Sequence, residues 1–241
     1  SFRLEDAATG LTVHEAPTRA AAAPIGTFTV MDFTPFQTEG VFRLRIGGEA
    51  TEPFRVDAHP FDSAFAKALD YFAQERCGTA VDGVHEICHL TVFSRHPDGR
   101  RISIAGGWHD AGDLSQAATN SSEVTIAALE AAAAVRAREP ELADRLLAEA
   151  RWGLQWLLRT AFGDGYRPCW TQLSVWTRNI EGAPDDVFRD AARRSFTNLE
   201  TAAAEAKGAI AFQSIDPYFA DWCLRSAIRD FKFGMDPREN E

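Results

Sequence analysis

The hydrophobic period of this chain changes once, near residue 58, and that change limits the architectures open to it. Before it, apolar and polar residues alternate, as in Thr27-Phe28-Thr29-Val30-Met31-Asp32-Phe33 and in Val41-Phe42-Arg43-Leu44-Arg45-Ile46 ahead of the Gly47-Gly48 turn. Such alternation marks strands whose side chains point to opposite faces. Beyond His59-Pro60 the spacing turns helical: Phe65, Leu69, Phe72 and Ala73 share a face, with Asp62 or Ser63 as N-cap and Gly78 as stop. Further helices are predicted from Asn120 to about Arg138, with Asn120 and Glu123 at capping-box spacing, and from about Pro140 to Thr160, with proline in the first turn. Thr197 and Glu200 repeat the capping-box spacing, and Asp216-Pro217 opens a last helix through Phe219, Trp222, Cys223 and Ile228. At least five helices, and no further strand, are expected after residue 58.

A small β module followed by helices alone points to a sandwich joined to a helical bundle or an α/α barrel. A sandwich takes about seven strands and about 100 residues, so residues 1–57 can supply only its later strands. Five helices cannot close a ring of six pairs. The expected fold is therefore mainly α: an incomplete (α/α)6-type barrel segment over 58–241, preceded by part of a β-sandwich over 1–57, in a chain trimmed at both ends. Residues 78–119 read as a long connection rich in glycine and histidine, a length that in compact domains usually goes with function.

Charge narrows the partners. A net charge of -10 argues against a polyanion, because nucleic-acid binding needs clustered lysine and arginine to displace counterions. No run of about 18 apolar residues is present, so no membrane partner is expected. The opening Ser1-Phe2-Arg3-Leu4-Glu5 lacks a signal peptide's pattern, which leaves a cytosolic protein or one whose signal was removed. Neutral polymers and small molecules remain as ligands.

The densest constellation is Gly106-Gly107-Trp108-His109-Asp110-Ala111-Gly112-Asp113. It sets two carboxylates three residues apart on a glycine-interrupted turn, with small residues between them that leave room for a substrate and a water. Paired carboxylates suit glycoside hydrolysis, where one ionised group takes a proton from water while an acid across the sugar protonates the leaving oxygen. A turn in which both Asp side chains merely cap backbone amides is the structural alternative. Cys77, Cys88, His89 and His109 make up a ligand set that tetrahedral zinc sites use, though their spacing is not that of a finger. A Cys77 to Cys88 disulfide is the competing reading. His14, His59, His85 and His96 read as surface or loop residues, and Cys169 and Cys223 as buried small apolar ones.

The octapeptide is similar to the Asp-Ala-Gly-Asp signature of glycoside hydrolase family 9, a cellulase family with an (α/α)6 barrel. Residues 68–78 resemble its first barrel helix, Glu149 to Leu158 a later one, and Thr27 to Val56 the Ig-like module that precedes the barrel in one branch. The resemblance implies an inverting glycosidase acting on a β-1,4-linked glucan, secreted or periplasmic, with Asp113 as general base and Asp110 helping to hold the water. It also implies that the acid, a Glu near the end of the barrel, lies outside this chain, so that the chain alone is inactive and the remaining part of its own barrel is a partner. Cys77, Cys88, His89 and His109 match a family pattern that ligates structural zinc; calcium is implied as well, with no ligands legible here. Trp170 and Trp176, in the irregular stretch where a barrel presents loops, are candidate platforms for a polysaccharide or oligosaccharide substrate. After Asp113 the family commonly carries aromatic and lysine residues, whereas this chain reads Leu114-Ser115-Gln116. That departure favours, as alternatives, an exo-acting β-glucosaminidase or oligosaccharide hydrolase of the same fold; a non-catalytic saccharide-binding or scaffolding protein and a zinc-dependent hydrolase stand further off.

Overall fold

The computed structural model describes residues 1–110 and 114–236. The chain divides into two compact units, Ser1–Ala64 and Phe65–Glu241, a division that falls in the first turn of a helix.

In the first unit, β1 (Phe2–Asp6), β2 (Thr12–Ala16), β5 (Gly40–Ile46), β6 (Glu49–Ala50) and β7 (Phe54–Val56) form one antiparallel sheet in the order β2-β1-β5-β6, with β7 also paired to β5. Alternation puts Phe2, Leu4 and Phe42 in its small core. The strands β3 (Arg19–Ala23) and β4 (Gly26–Val30) make a separate hairpin. Its residues are mostly exposed, so the alternation of Thr27 to Phe33 is not matched by a buried face in this unit.

The second unit is built on α1 (Asp62–Gln74), α2 (Ala118–Val135), α3 (Pro140–Arg159), α4 (Ser195–Phe212) and α5 (Pro217–Gly234). Consecutive helices pack as pairs, α2 with α3 and α4 with α5, and α2 also lies against α4. Short connections favour such antiparallel pairs. Their shared core holds Leu129, Val135, Leu146, Leu154, Phe212, Phe219 and Cys223. Pro140 and Pro217 each start a helix as expected, and the Asp216 side chain accepts from the Phe219 amide as a true N-cap.

The expectation of no later strand is overturned. Short strands β8 (Val92–Arg95), β9 (Arg101–Ser103), β10 (Gln116–Ala117), β11 (Tyr166–Arg167), β12 (Trp170–Thr171), β13 (Val187–Asp190) and β14 (Ala192–Arg193) pair within the loops. The β8–β9 hairpin takes β13 as a parallel third strand, while β10 pairs β12 and β11 pairs β14. Elements of two to four residues are too short to show a period. Both capping boxes are also displaced. Asn120 and Thr197 are the third residues of α2 and α4, which begin at Ala118 and Ser195 with no side-chain cap.

Beneath α4 and α5 lies a buried charge cluster. Arg167 on β11 pairs with Asp230 on α5, and both are almost fully buried. Glu205 on α4 is buried beside them. Burial, with the Asp230 charge added, pushes the Glu205 carboxyl up to about 8, against an opposing pull from Arg167.

Candidate active site and metal centre

The last turn of α1 leads into Glu75-Arg76-Cys77, which pairs with Gly107-Trp108-His109. The His109 amide donates to the Glu75 carbonyl at 2.8 Å, the Cys77 amide to the Gly107 carbonyl at 2.9 Å, and Arg76 and Trp108 form an antiparallel bridge. This short ladder carries Cys77 and His109 to one place from 32 residues apart in sequence.

Helix α3 fixes the same segment from the other side. Glu149, Trp152, Trp156 and Arg159 recur at helical spacing on one stripe. Glu149 accepts from Trp108 Nε1 at 2.6 Å, Trp152 Nε1 donates to the Gly107 carbonyl at 2.8 Å, Trp156 Nε1 to the Ile104 carbonyl at 2.8 Å, and Arg159 to the Ala105 carbonyl at 3.0 Å. Glu149 is itself held by Arg76 at 2.6 Å. The bend needs glycine: Gly107 has φ +63°, and a Cβ there would sit 2.9 Å from Trp156 Cδ2.

Asp110 follows at once. Its amide donates to the Ser115 carbonyl at 2.7 Å, and its Oδ1 accepts from Asn120 Nδ2 at 2.7 Å. The carboxylate is therefore bound by a side-chain amide in the first turn of α2. Leu114 has φ +61°, a conformation that a bulky side chain disfavours. Asp113, the expected base, lies outside the described residues with Ala111 and Gly112. Tyr71 on α1 faces this region: burial first, then the charges of Glu75 and Asp110, push its phenol up.

Cys77, Cys88, His89 and His109 converge as expected, all buried, with one ligand atom from each within 4.8 Å of every other. Both thiols are free, so the disulfide reading is not what the structure holds. The Cys77 and Cys88 sulfurs are 3.9 Å apart, Cys77 Sγ is 3.4 Å from His89 Nδ1, Cys88 Sγ is 3.6 Å from His109 Nε2, and the two nitrogens are 3.2 Å apart. A tetrahedron with zinc–sulfur bonds of about 2.3 Å and zinc–nitrogen bonds of about 2.05 Å has edges of about 3.8, 3.5 and 3.3 Å for S–S, S–N and N–N. The donor set thus fits a four-coordinate ion of zinc's size. The hydrogen bond between the thiols splits their acidities, holding Cys88 down to about 2 while Cys77 rises well above the ordinary thiol range. Glu75 faces the other nitrogen of His109 at 3.8 Å. Among the described residues this Cys/His set is the one metal-capable cluster, and calcium gains no support.

The two tryptophans part company. Trp170 on β12 pairs in register with Ala117 at the entrance to α2, and its side chain is half exposed. Trp176 lies on the metal cluster: its ring stacks on His89 at 5.2 Å and 9°, and meets His109 edge-on at 5.7 Å. It too remains half exposed. His96 is not a surface residue; it is buried between Asp98 at 2.8 Å and Asp164 at 3.1 Å. Sequence reasoning missed Glu149 and Asn179, whose partners are distant in the chain, and the role of Asn120, whose partner Asp110 lies ten residues back. Asn120 alone carried a signal, read as a cap.

A family model described as Glycosyl hydrolase family 9 matches residues 61–241. Among curated proteins, Endoglucanase C of Cellulomonas fimi is 26% identical over 82% of this chain and 22% of its own length. A Cellodextrinase of Butyrivibrio fibrisolvens is 24% identical over 86% of this chain and 42% of its own. Among solved structures, a Zn-binding triple mutant of the family 9 endoglucanase J30 aligns with a TM-score of 0.73 and 26% identity, covering 96% of this chain and 49% of that one. The structure of AaCel9A in complex with cellobiose-like isofagomine aligns at 0.72 and 22% identity over 96% of this chain and 47% of that one, a likeness of fold. The chain spans less than half the length of each of these relatives.

Proposed function

This chain belongs to glycosyl hydrolase family 9, and from that membership we propose that it is the water-activating portion of an inverting β-glycosidase acting on β-1,4-linked glucan. Asp113 is the general base that deprotonates the attacking water, Asp110 helps to hold that water, and the acid is a glutamate outside residues 1–241. The observation that carries this reading is the environment of Asp110. It follows a glycine bend gripped by α3 and is oriented by Asn120 at 2.7 Å, as a pre-organised carboxylate needs to be. Residues 58–241 are read as part of an (α/α)6 barrel and residues 1–57 as part of an Ig-like sandwich, in a secreted or periplasmic protein.

Zinc is the metal we assign to Cys77, Cys88, His89 and His109. With four protein ligands, the ion's contribution would be structural, since no position stays open for water. Trp170 and Trp176 offer exposed ring faces on which sugars stack.

The full-length gene product tests the assignment. Asp113→Ala is expected to lower kcat on cello-oligosaccharides and soluble β-glucan by about a hundred- to ten-thousandfold, and the wild type should release the α-anomer first. Undiminished turnover of every β-glucan and β-glucosaminide by Asp113→Ala would remove the reading. An exo-acting enzyme on short oligosaccharides is the second reading, favoured by Leu114-Ser115-Gln116 after the base. A product profile of single end units, with no internal cleavage of long chains, would select it.

A further inference from the structure

We propose that Asn179 is a positioning residue for the metal centre, holding the loop that supplies two of its four ligands. The proposal rests on the zinc reading of Cys77, Cys88, His89 and His109.

Cys88 and His89 stand between Ile87 and Leu90, and Asn179 grips both flanks. Its Nδ2 donates to the Ile87 carbonyl at 2.7 Å, and its Oδ1 accepts from the Leu90 amide at 2.9 Å. One amide side chain thus closes a bracket around the ligand pair from about ninety residues away in sequence. The bracket has something to restrain. His89 has φ +56°, a left-handed conformation that is uncommon for any residue other than glycine. Relaxation there would swing Nδ1 away from Cys77 and His109. Asn179 itself has φ +60°, which asparagine tolerates better than most residues, and Thr177 Oγ1 donates to its Oδ1 at 3.3 Å. The acceptor end is therefore oriented from its own side, which fixes which end of the amide faces which backbone group. Three residues earlier on the same segment, Trp176 covers the His89 ring. The segment 176–179 meets the centre twice, through an aromatic face and through this bracket, and touches no ligand atom through Asn179. Groups of this kind act on metal affinity by orienting the ligands rather than by binding the ion.

The test is zinc affinity, measured on the whole chain by competition with a chromophoric chelator, with the ligand-field spectrum of the cobalt(II)-loaded protein as the geometric readout. Asn179→Gly keeps the left-handed backbone and loses both bonds; it is expected to bind zinc about ten- to a hundredfold more weakly and to shift the cobalt bands. Asn179→Asp keeps an acceptor for the Leu90 amide but sets a carboxylate oxygen against the Ile87 carbonyl, and should also bind zinc more weakly than the wild type. Arg178→Ala removes only the neighbouring exposed pair with Asp185 and should bind as the wild type does. Wild-type affinity in either Asn179 variant overturns the proposal, and so does an equal loss in Arg178→Ala, which would mean general loosening of the segment. A wild-type chain that takes up no zinc removes the zinc reading itself, and this proposal with it.

Discussion

A capping amide and an amide that orients a carboxylate look alike in a sequence, because both are short polar side chains at the start of a helix. Asn120 was read as the first and acts as the second, donating to Asp110. If Asp110 holds the water, Asn120→Ala in the full-length gene product should cut kcat by about ten- to a hundredfold, as small misplacements of reacting groups do, with KM little changed. A parallel fall in substrate affinity would count against a positioning role. Glu205 makes a different kind of prediction. The native state holds its proton up to about 8, whereas an unfolded carboxyl releases it near the ordinary value. The stabilising contribution is complete below the unfolded pKa and is lost as pH climbs from there through about 8, by at most about 1.4 kcal/mol per pH unit. Urea melts across that window should show Glu205→Gln flatter with pH than the wild type; identical slopes would contradict it.

At the scale of elements, α3 explains why the glycine bend can exist. Its stripe of Glu149, Trp152, Trp156 and Arg159 grips the segment from Ile104 to Trp108. Gly107→Ala both forces a left-handed alanine and drives a methyl into Trp156, and should cost about 2–4 kcal/mol in denaturant unfolding. A loss under 0.5 kcal/mol would show that the bend is looser than the contacts imply. The same helix shows what the sequence could and could not disclose. Its apolar period and Pro140 placed it almost to the residue, and Asp216-Pro217 placed the start of α5. The start of α2 is misplaced by the sequence because Asn120 spends its amide on Asp110, a partner that only tertiary structure supplies, whereas Thr197 simply lies inside α4, which begins at Ser195 with no side-chain cap. Trp156 is fully buried and Trp152 half-buried; that their indole N–H groups grip the bend has no sequence signature. The candidate metal ligands were legible from residue type together with the family resemblance, whereas the bracket at Asn179 was not, because its partners are main-chain groups.

For the molecule as a whole, the two units carry separate cores, one small and sheet-based, the other helical with all four candidate ligands. Calorimetry should therefore resolve two transitions, and chelation should move one of them. An ion present at a thousand times its dissociation constant contributes about 4 kcal/mol, which for a unit of this size corresponds to a fall of about 10 °C in the melting of residues 65–241. The transition of residues 1–64 should stay where it was; a shift of both would mean that the metal's influence crosses the division. The order of the chain adds a last consequence. Cys77, Cys88, His89 and His109 all precede α2, while Trp176 and Asn179, which cover and bracket the centre, follow about seventy residues after His109. During synthesis at about 5–20 residues per second, the ligands emerge on the order of several seconds ahead of their cover. If zinc fills this site, its capture can begin on a nascent chain whose enclosing wall has not yet left the ribosome.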